Sequence, residues 1–277
     1  MTIKYNYIND KYYIEQTATK PLIYLDNWAI NFLATDISLQ KEFLKLVVSK
    51  NATVAFSAIN LLEIVNRTDE EQISSIIKFC EHIINDAVIE SNPLKVITRE
   101  KQFTDSRLLY ESMPWTHTEL IMILGLHGRQ FKRLSVAETI YCLNAQIKST
   151  GKKYDEKFEN ELFPQVRDIR NNQEKLHYAK KNNSKGIILK KDNFPYTTEL
   201  YDYFLNFIVC NETMKMGNSE WRDLFHAIVP VSYCDFVLID KRWVNCIKHT
   251  KISSPSIAKV YSRNALKEFF NDFKNYK

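Results

Sequence analysis

Five carboxylates in three distant stretches of this chain share a similar setting, each beside a short apolar run or in a helix next to one. Asp26 closes PLIYL, Glu63 lies in SAINLLEIVNR, and Asp223, Asp235 and Asp240 lie in EWRDLFHAIVPVSYCDFVLIDKRW. Taken singly, each has a structural explanation, because Asp is common in turns and acids favour helix N-termini. The repetition of the setting is what points to chemistry. No histidine or cysteine shares the spacing of these acids. An all-oxygen set suits hard divalent cations, Mg²⁺ or Mn²⁺, whereas a softer zinc site would draw on His or Cys. Beside a phosphate, such ions favour attack by water and stabilise the leaving oxygen, so no protein nucleophile is needed.

Gathering the acids falls to the elements around them. The runs Pro21–Leu25, Thr53–Phe56 and Phe236–Ile239 are apolar or nearly so on consecutive positions, the pattern of strands buried on both faces. A final strand is expected near Ala258–Tyr261. Helical patterns alternate with these strands: NWAINFLA after Asp26, residues 37–50 with Leu39, Phe43, Leu44, Leu46 and Val47, then AINLLEIVNR capped by Ser57. Asn218 or Ser219 should cap a helix whose first turn carries Glu220 and Asp223 and which Pro230 ends. From the cap Ser262, an amphipathic helix presents Leu266, Phe269, Phe270 and Phe273. Four strands alternating with helices predict a three-layer α/β/α domain with a central parallel sheet. In such sheets the carboxyl ends of the strands line the ligand crevice, which is where Asp26 and Asp240 fall. Residues 3–16 read as a hairpin around Asn9-Asp10. The interval from 68 to 217 reads as a large helical insertion, beginning with EEQISSIIKFCEHIINDAVIE and including WTHTELIMILGLHG, LSVAETIYCLNAQIKS and TTELYDYFLNFIVC. The expected organisation is one domain over 1–270, with an N-terminal hairpin in 1–20, that insertion, and a tail at 271–277.

Composition narrows the function classes. At 277 residues, 45% hydrophobic and 26% charged, the chain can bury a sizeable core and has no signature of disorder or coiled coil. Its five glycines form no GxGxxG or GxxxxGK[ST] loop, which argues against a Rossmann dinucleotide site and a P-loop NTPase. Five scattered cysteines without a CxxC argue against a zinc knuckle or a disulfide framework. No signal-peptide pattern or 18-residue apolar run is present, so a cytoplasmic protein without membrane association is expected. A net charge of +5 permits a polyanionic partner. Bases recur between Gly151 and Asp192 and run almost unopposed through Lys180, Lys181, Lys190 and Lys191, a pattern open to two accounts, a solvated surface or a phosphate contact. Lys241 and Arg242, just after Asp240, could meet a nucleic-acid backbone; Trp243 could stack a base or belong to the core. His226, one turn after Asp223, fits a phosphate contact, a supporting partner of the acids or a structural role.

YLDNWAINFLA, SAINLLEI and DLFHAI with SYCDFVLIDKRW resemble, in order, the motifs of PIN-domain ribonucleases. The resemblance covers roughly residues 21–67 and 218–270. It implies a PIN-like fold and a Mg²⁺- or Mn²⁺-dependent endoribonuclease of toxin or defence type. It implies Asp26, Glu63 and Asp223 as the first three metal-holding acids. The fourth stays open between Asp240, which follows the strand, and Asp235, which precedes it. RNA is the implied partner, with an inhibitor protein and a second copy of the chain as further candidates. Two features depart from the family: the long Glu63–Asp223 interval, and Asn27 with Trp28 where Thr or Ser usually follows the first acid. The alternatives are a structure-specific DNA nuclease and an inactive RNA-binding or assembly protein. A haloacid-dehalogenase phosphatase fails because Trp28 breaks the DxD signature.

Overall fold

The computed structural model describes residues 3–8, 11–16, 18–90, 92–101, 135–151, 159–185, 196–211, 214, 218–250 and 257–277. The chain opens with an antiparallel hairpin, β1 (Ile3–Ile8) and β2 (Lys11–Gln16), in register from Ile3 opposite Gln16 to Ile8 opposite Lys11. It then enters a separate five-stranded sheet made of β3 (Leu22–Leu25), β4 (Thr53–Ser57), β5 (Asp86–Ile89), β6 (Phe236–Leu238) and β7 (Lys259–Tyr261). All neighbouring pairs are parallel and the spatial order is β5-β4-β3-β6-β7. The chain winds outward in one direction from β3 to β5 and in the other from β6 to β7. The order therefore reverses between β3 and β6, the kind of switch point where open parallel sheets part to form a crevice.

Side chains on alternate strand positions serve two cores. Ile23, Leu25, Val54, Phe56, Val88, Phe236 and Leu238 pack on one face against α1 (Asn27–Thr35), α2 (Ile37–Ser49), α4 (Glu70–Glu81), α6 (Val136–Thr150) and α12 (Leu266–Lys274). Leu22, Tyr24, Ala55, Ile89 and Val237 pack on the other against α9 (Thr197–Cys210), α10 (Asn218–Tyr233) and α11 (Lys241–His249). Burial on both faces is why the strands read as continuous apolar runs. Helices cover both faces of a parallel sheet, as the alternation predicted.

Several boundaries differ from those expected. Asp86–Ile89, expected to be helical, is the edge strand β5, with all four residues buried. Helix α4 ends at Glu81, and the DAVI run gains more by pairing with β4 than by extending a helix whose apolar stripe is already complete. The interval read as a helical insertion thus contributes a strand to the sheet, and α4 and α6 join the same core as α1. Helix α10 runs through Pro230 to Tyr233 rather than stopping there. The Pro230 carbonyl still accepts from Cys234 N at 2.8 Å and Ser232 Oγ donates to Ile228 O, so the turn is held despite the missing N–H. Because α10 starts at Asn218, Asp223 lies in its second turn, beyond the first-turn position where the helix dipole favours an acid. Ser262 precedes a 3₁₀ turn, Arg263–Ala265, and makes no side-chain cap bond. Residues 271–277 are not a tail: Phe273 is fully buried, and the Tyr276 hydroxyl and carbonyl bond Asp235 and Lys50. Among the described residues, no helix is long and apolar enough to cross a membrane, and Cys80, Cys234 and Cys246 are buried thiols.

Candidate active site

The crevice between β3 and β6 is built from backbone upward. Asp26 N donates to Leu238 O at 2.9 Å, which fixes the end of β3 against β6. The Asp26 carboxylate then caps α1 by accepting from Asn27 N at 2.6 Å. This acid is only 6% exposed. Its neighbour Asn27, ordinary in sequence except as a departure from the family, ties two elements together. The Asn27 amide donates to Glu63 Oε2, and its oxygen receives Asn60 Nδ2 at 3.5 Å.

Glu63 is carried by α3 (Ala58–Val65), whose start is fixed by a reciprocal capping box between Ser57 and Asn60. Asn60 Nδ2 also reaches Leu25 O at 3.3 Å, so the fully buried Asn60 bolts α3 to the end of β3. Asn60 therefore belongs to the buried network at the start of α3 rather than to its solvent-facing side. Arg67 turns away to Asn31 Oδ1 at 2.8 Å, while Arg222 stands 3.9 Å from Glu63 Oε1.

From the other side, α10 presents Asp223, and Arg242 Nη2 donates to its Oδ2 at 3.1 Å. Asp240 caps α11 by accepting from Lys241 N at 3.1 Å. Asp26, Glu63 and Asp240 all act on Asp223 as neighbouring negative charges, so these four predicted acids share one crevice. Asp235 does not. It sits at the opposite end of β6, accepting from Leu22 N at 2.8 Å and Tyr276 Oη at 3.3 Å, with Lys20 at 3.7 Å. Of the two candidates for the fourth acid, only Asp240 lies near enough to act on the charges of Asp26 and Asp223; Asp235 ties the start of the sheet to Tyr276, just past the C-terminal helix.

The predicted basic residues divide similarly. Lys241 and Arg242 are exposed in the first turn of α11, at the rim of the acids. Lys180 and Lys181 are exposed on α8 (Gln173–Lys185), which packs against α9 and α7 (Glu159–Asn171); Lys190 and Lys191 lie outside the described residues. Trp243 is fully buried against Phe204 and takes no part in base stacking, although the Arg242 guanidinium lies 5.1 Å from its ring centre.

Electrostatics follow from this crowding. Burial pushes the Asp26 carboxyl up to about 7, Asn27 N–H pulls it back, and the Asp240 charge raises it further. Asp223 also rises to about 7, through burial first and then the charges of Asp26, Asp240 and Glu63, against the pull of Arg242. The contact with Arg242 alone would lower it; that guanidinium is 40% exposed and water-screened, so burial and the neighbouring charges prevail. His226 is buried below the acids, its Nε2 3.9 Å from both Asp26 Oδ1 and Glu63 Oε2, and burial lowers its pKa to about 4, so the ring is neutral near pH 7. Its Nδ1 shares a hydrogen bond with Tyr24 Oη, which also meets Ser57 Oγ at 3.0 Å. In sequence, Tyr24 is indistinguishable from any other residue of the buried run.

Among the described residues, no three His, Cys, Asp or Glu side chains converge as a ready-formed metal site. Each acid is turned to a local partner, so a cation would require them to turn toward a common point. The donor types nonetheless fit one: His226 Nε2, a buried ring nitrogen without a hydrogen bond, lies 3.9 Å from both Asp26 Oδ1 and Glu63 Oε2. A surface depression of about 590 Å³ lined by Asp168, Lys175, Tyr178 and Asn206 contains none of these acids. In comparisons with known proteins, no family model, curated protein or solved structure matches the chain.

Proposed function

We propose that this protein is a PIN-like nuclease that hydrolyses RNA phosphodiester bonds with the help of Mg²⁺ or Mn²⁺. One observation carries the reading: four carboxylates, the caps of α1 and α11 and one each on α3 and α10, lie close enough at the switch point of a parallel sheet to act on one another's charge, two of them held near a pKa of 7. Carboxylates crowded at a cost to themselves are a common signature of a site shaped for a cation. Asp26, Glu63 and Asp223 would hold the ion, with Asp240 at its edge. When bound, the ion would offset phosphate charge and ease ionisation of an attacking water. Arg222, Arg242 and Lys241 place positive charge at the rim, where they would hold the phosphates flanking the cleaved bond. Asn27 and Asn60 keep α1 and α3 in register so that Asp26 and Glu63 stay together.

The test is cleavage of single-stranded and duplex RNA and DNA in Mn²⁺, Mg²⁺ or EDTA. The expected result is RNA cut only with metal, giving 3′-hydroxyl and 5′-phosphate ends, and loss of activity in Asp26→Asn. Undiminished cutting in excess EDTA, or 2′,3′-cyclic phosphate ends, would point to other chemistry; preference for DNA would favour a DNA nuclease. A non-catalytic RNA-binding role is favoured by the Arg242–Asp223 pair and the absence, among the described residues, of three converging ligands. RNA binding without any divalent-ion uptake would select that role.

A further inference from the structure

We propose that His226 is a nitrogen donor in the same site: through Nε2 it joins Asp26 and Glu63 in holding the cation, which makes the centre select Mn²⁺ over Mg²⁺. The inference rests on the reading that these acids bind a divalent ion, and adds a ligand and a metal preference to it.

The argument starts in the buried network beneath the acids. Ser57 Oγ receives Asn60 N–H at 3.1 Å and donates to Asn60 Oδ1 at 3.1 Å. With the Ser57 proton so engaged, the 3.0 Å contact between Ser57 Oγ and Tyr24 Oη is made by the tyrosine proton. Tyr24 then has only lone pairs to offer His226, so Nδ1 carries the ring proton and donates it to Tyr24 Oη. That leaves Nε2 with a lone pair. Nε2 belongs to a side chain 1% exposed and has no hydrogen-bond partner among the described residues. It faces Asp26 Oδ1 and Glu63 Oε2, each 3.9 Å away. The other groups near this point do not supply a donor to it. Arg222 stands at the far oxygen of Glu63, and Asn27 gives its amide proton to Glu63 and its backbone N–H to Asp26.

Nε2 therefore faces two carboxylate oxygens that each hold one Asn27 proton and has no donor of its own, a costly arrangement for a buried group unless something positive comes to lie beside it. Donors sharing an ion through bonds of ~2.1 Å stand about 3.0 Å apart at right angles and about 4.2 Å apart when opposed. The two 3.9 Å separations of Nε2 from the carboxylate oxygens fall within that range, and the carboxylates would turn from Asn27 toward the ion to complete the set. The rigid ring is oriented by Tyr24 in the way a ligating histidine is oriented by the bond at its other nitrogen. Imidazole suits transition ions, whereas Mg²⁺ keeps oxygen and water, so a nitrogen donor moves the preference toward Mn²⁺.

The experiment uses the full chain, stripped with chelator and dialysed, then titrated with Mn²⁺ or Mg²⁺ and examined with Mn²⁺ by pulsed electron paramagnetic resonance. The expected spectrum shows histidine ¹⁴N coupling to the bound Mn²⁺, absent in His226→Gln. The same substitution should weaken Mn²⁺ about tenfold or more while changing Mg²⁺ by less than about threefold. Tyr24→Phe, which keeps the ring volume and removes only the orienting hydroxyl, should also weaken Mn²⁺ selectively and guards against misfolding of the His226 variant. Mn²⁺ bound in an Asp26-dependent way with no ¹⁴N coupling would overturn the histidine ligand and leave the acidic site standing. No Mn²⁺ binding, or binding indifferent to Asp26→Asn, would overturn both.

Discussion

Asp223 lies between opposed influences, and their balance makes a test at the scale of one residue. Asp26 and Asp223 each shift from 3.8 to about 7 on folding. Between those values the folded chain holds the extra protons, so these two groups make stability fall as pH rises from about 4 to about 7, with the full cost present above 7. His226, lowered from 6.5 to about 4, acts with the opposite sign between about 4 and 6.5, and one such group only partly offsets two acids. Asp223→Asn removes one of the two acids. In EDTA, the variant should gain stability over the parent progressively from pH 4 to 7 and level off above, by ~1–3 kcal/mol once solvent screening of this partly exposed group is allowed for. Breaking the exposed pair with Arg242 subtracts less than about 1 kcal/mol. Added Mn²⁺ should raise the melting temperature of the parent more than that of the variant. Denaturant and thermal melts across this pH range decide it. A variant less stable by a constant amount at every pH, with an unchanged Mn²⁺ response, would mark Asp223 as an ordinary paired acid.

At the scale of elements, the C-terminal helix α12 is as much part of the sheet's support as the helices that carry the acids. Phe273 is fully buried among Phe43, Phe236 and Phe269, with ring centres 5.7 to 6.2 Å away. Tyr276 then reaches back to Asp235, the acid that holds the start of β3 through Leu22 N. Phe273→Ala should cost ~3–5 kcal/mol by urea denaturation, the range for a large buried aromatic left as a cavity. Metal affinity of the fraction that remains folded should be unchanged, since the acids lie at the other end of β6. A cost below about 1 kcal/mol would mean that α12 packs more loosely than its burial implies. The network around Ser57 works in the opposite direction: it contributes to the site first, because it sets both the start of α3 and the orientation of Tyr24.

For the whole molecule, the question is which positive charges meet the polyanion. The net charge of +5 is too small to bind RNA everywhere, so location decides. Lys241 and Arg242 rim the acids, whereas Lys180 and Lys181 are carried by α8 in the helical layer over one face. Neutralising a base that touches one phosphate should lower the slope of log affinity against log salt by about 0.7 for a single strand. Lys241→Gln with Arg242→Gln should therefore reduce the slope by roughly one to one and a half and weaken binding uniformly across sequences. Lys180→Gln with Lys181→Gln tests whether RNA extends over α8. Filter binding from low to moderate salt, in EDTA so that cleavage does not intervene, reads both. An unchanged slope in the α8 pair returns those lysines to solvated surface, and an unchanged slope in the α11 pair removes the rim from the binding surface.

Local chemistry was legible in the chain itself. Consecutive apolar positions ending on Asp26 or preceding Asp240 announce strands buried on both faces, because only a doubly covered parallel sheet hides every residue of a run. Ser57 and Asp26 announce helix starts, because their side chains satisfy backbone N–H groups that the helix leaves open. The alternation of strands and helices carried the layered fold, yet β5 was hidden, since three apolar residues after an Asp and beside a helix suit either state until a neighbouring strand is there to pair with them. Which acids meet is a property of the tertiary structure. Asp235 and Asp240 look alike as brackets of one strand, but a strand has two ends, and only the parallel pairing of β6 with β3 puts Asp240 beside Asp26 and sends Asp235 to the far edge. Tyr24 and Asn60 carry no spacing signal, and the places of Asn27 beside Asp26 and of His226 one turn after Asp223 do not say which partners they take. Their roles arise from burial, which leaves every polar atom to find a partner across tens or hundreds of residues, and that search is settled by packing rather than by local pattern.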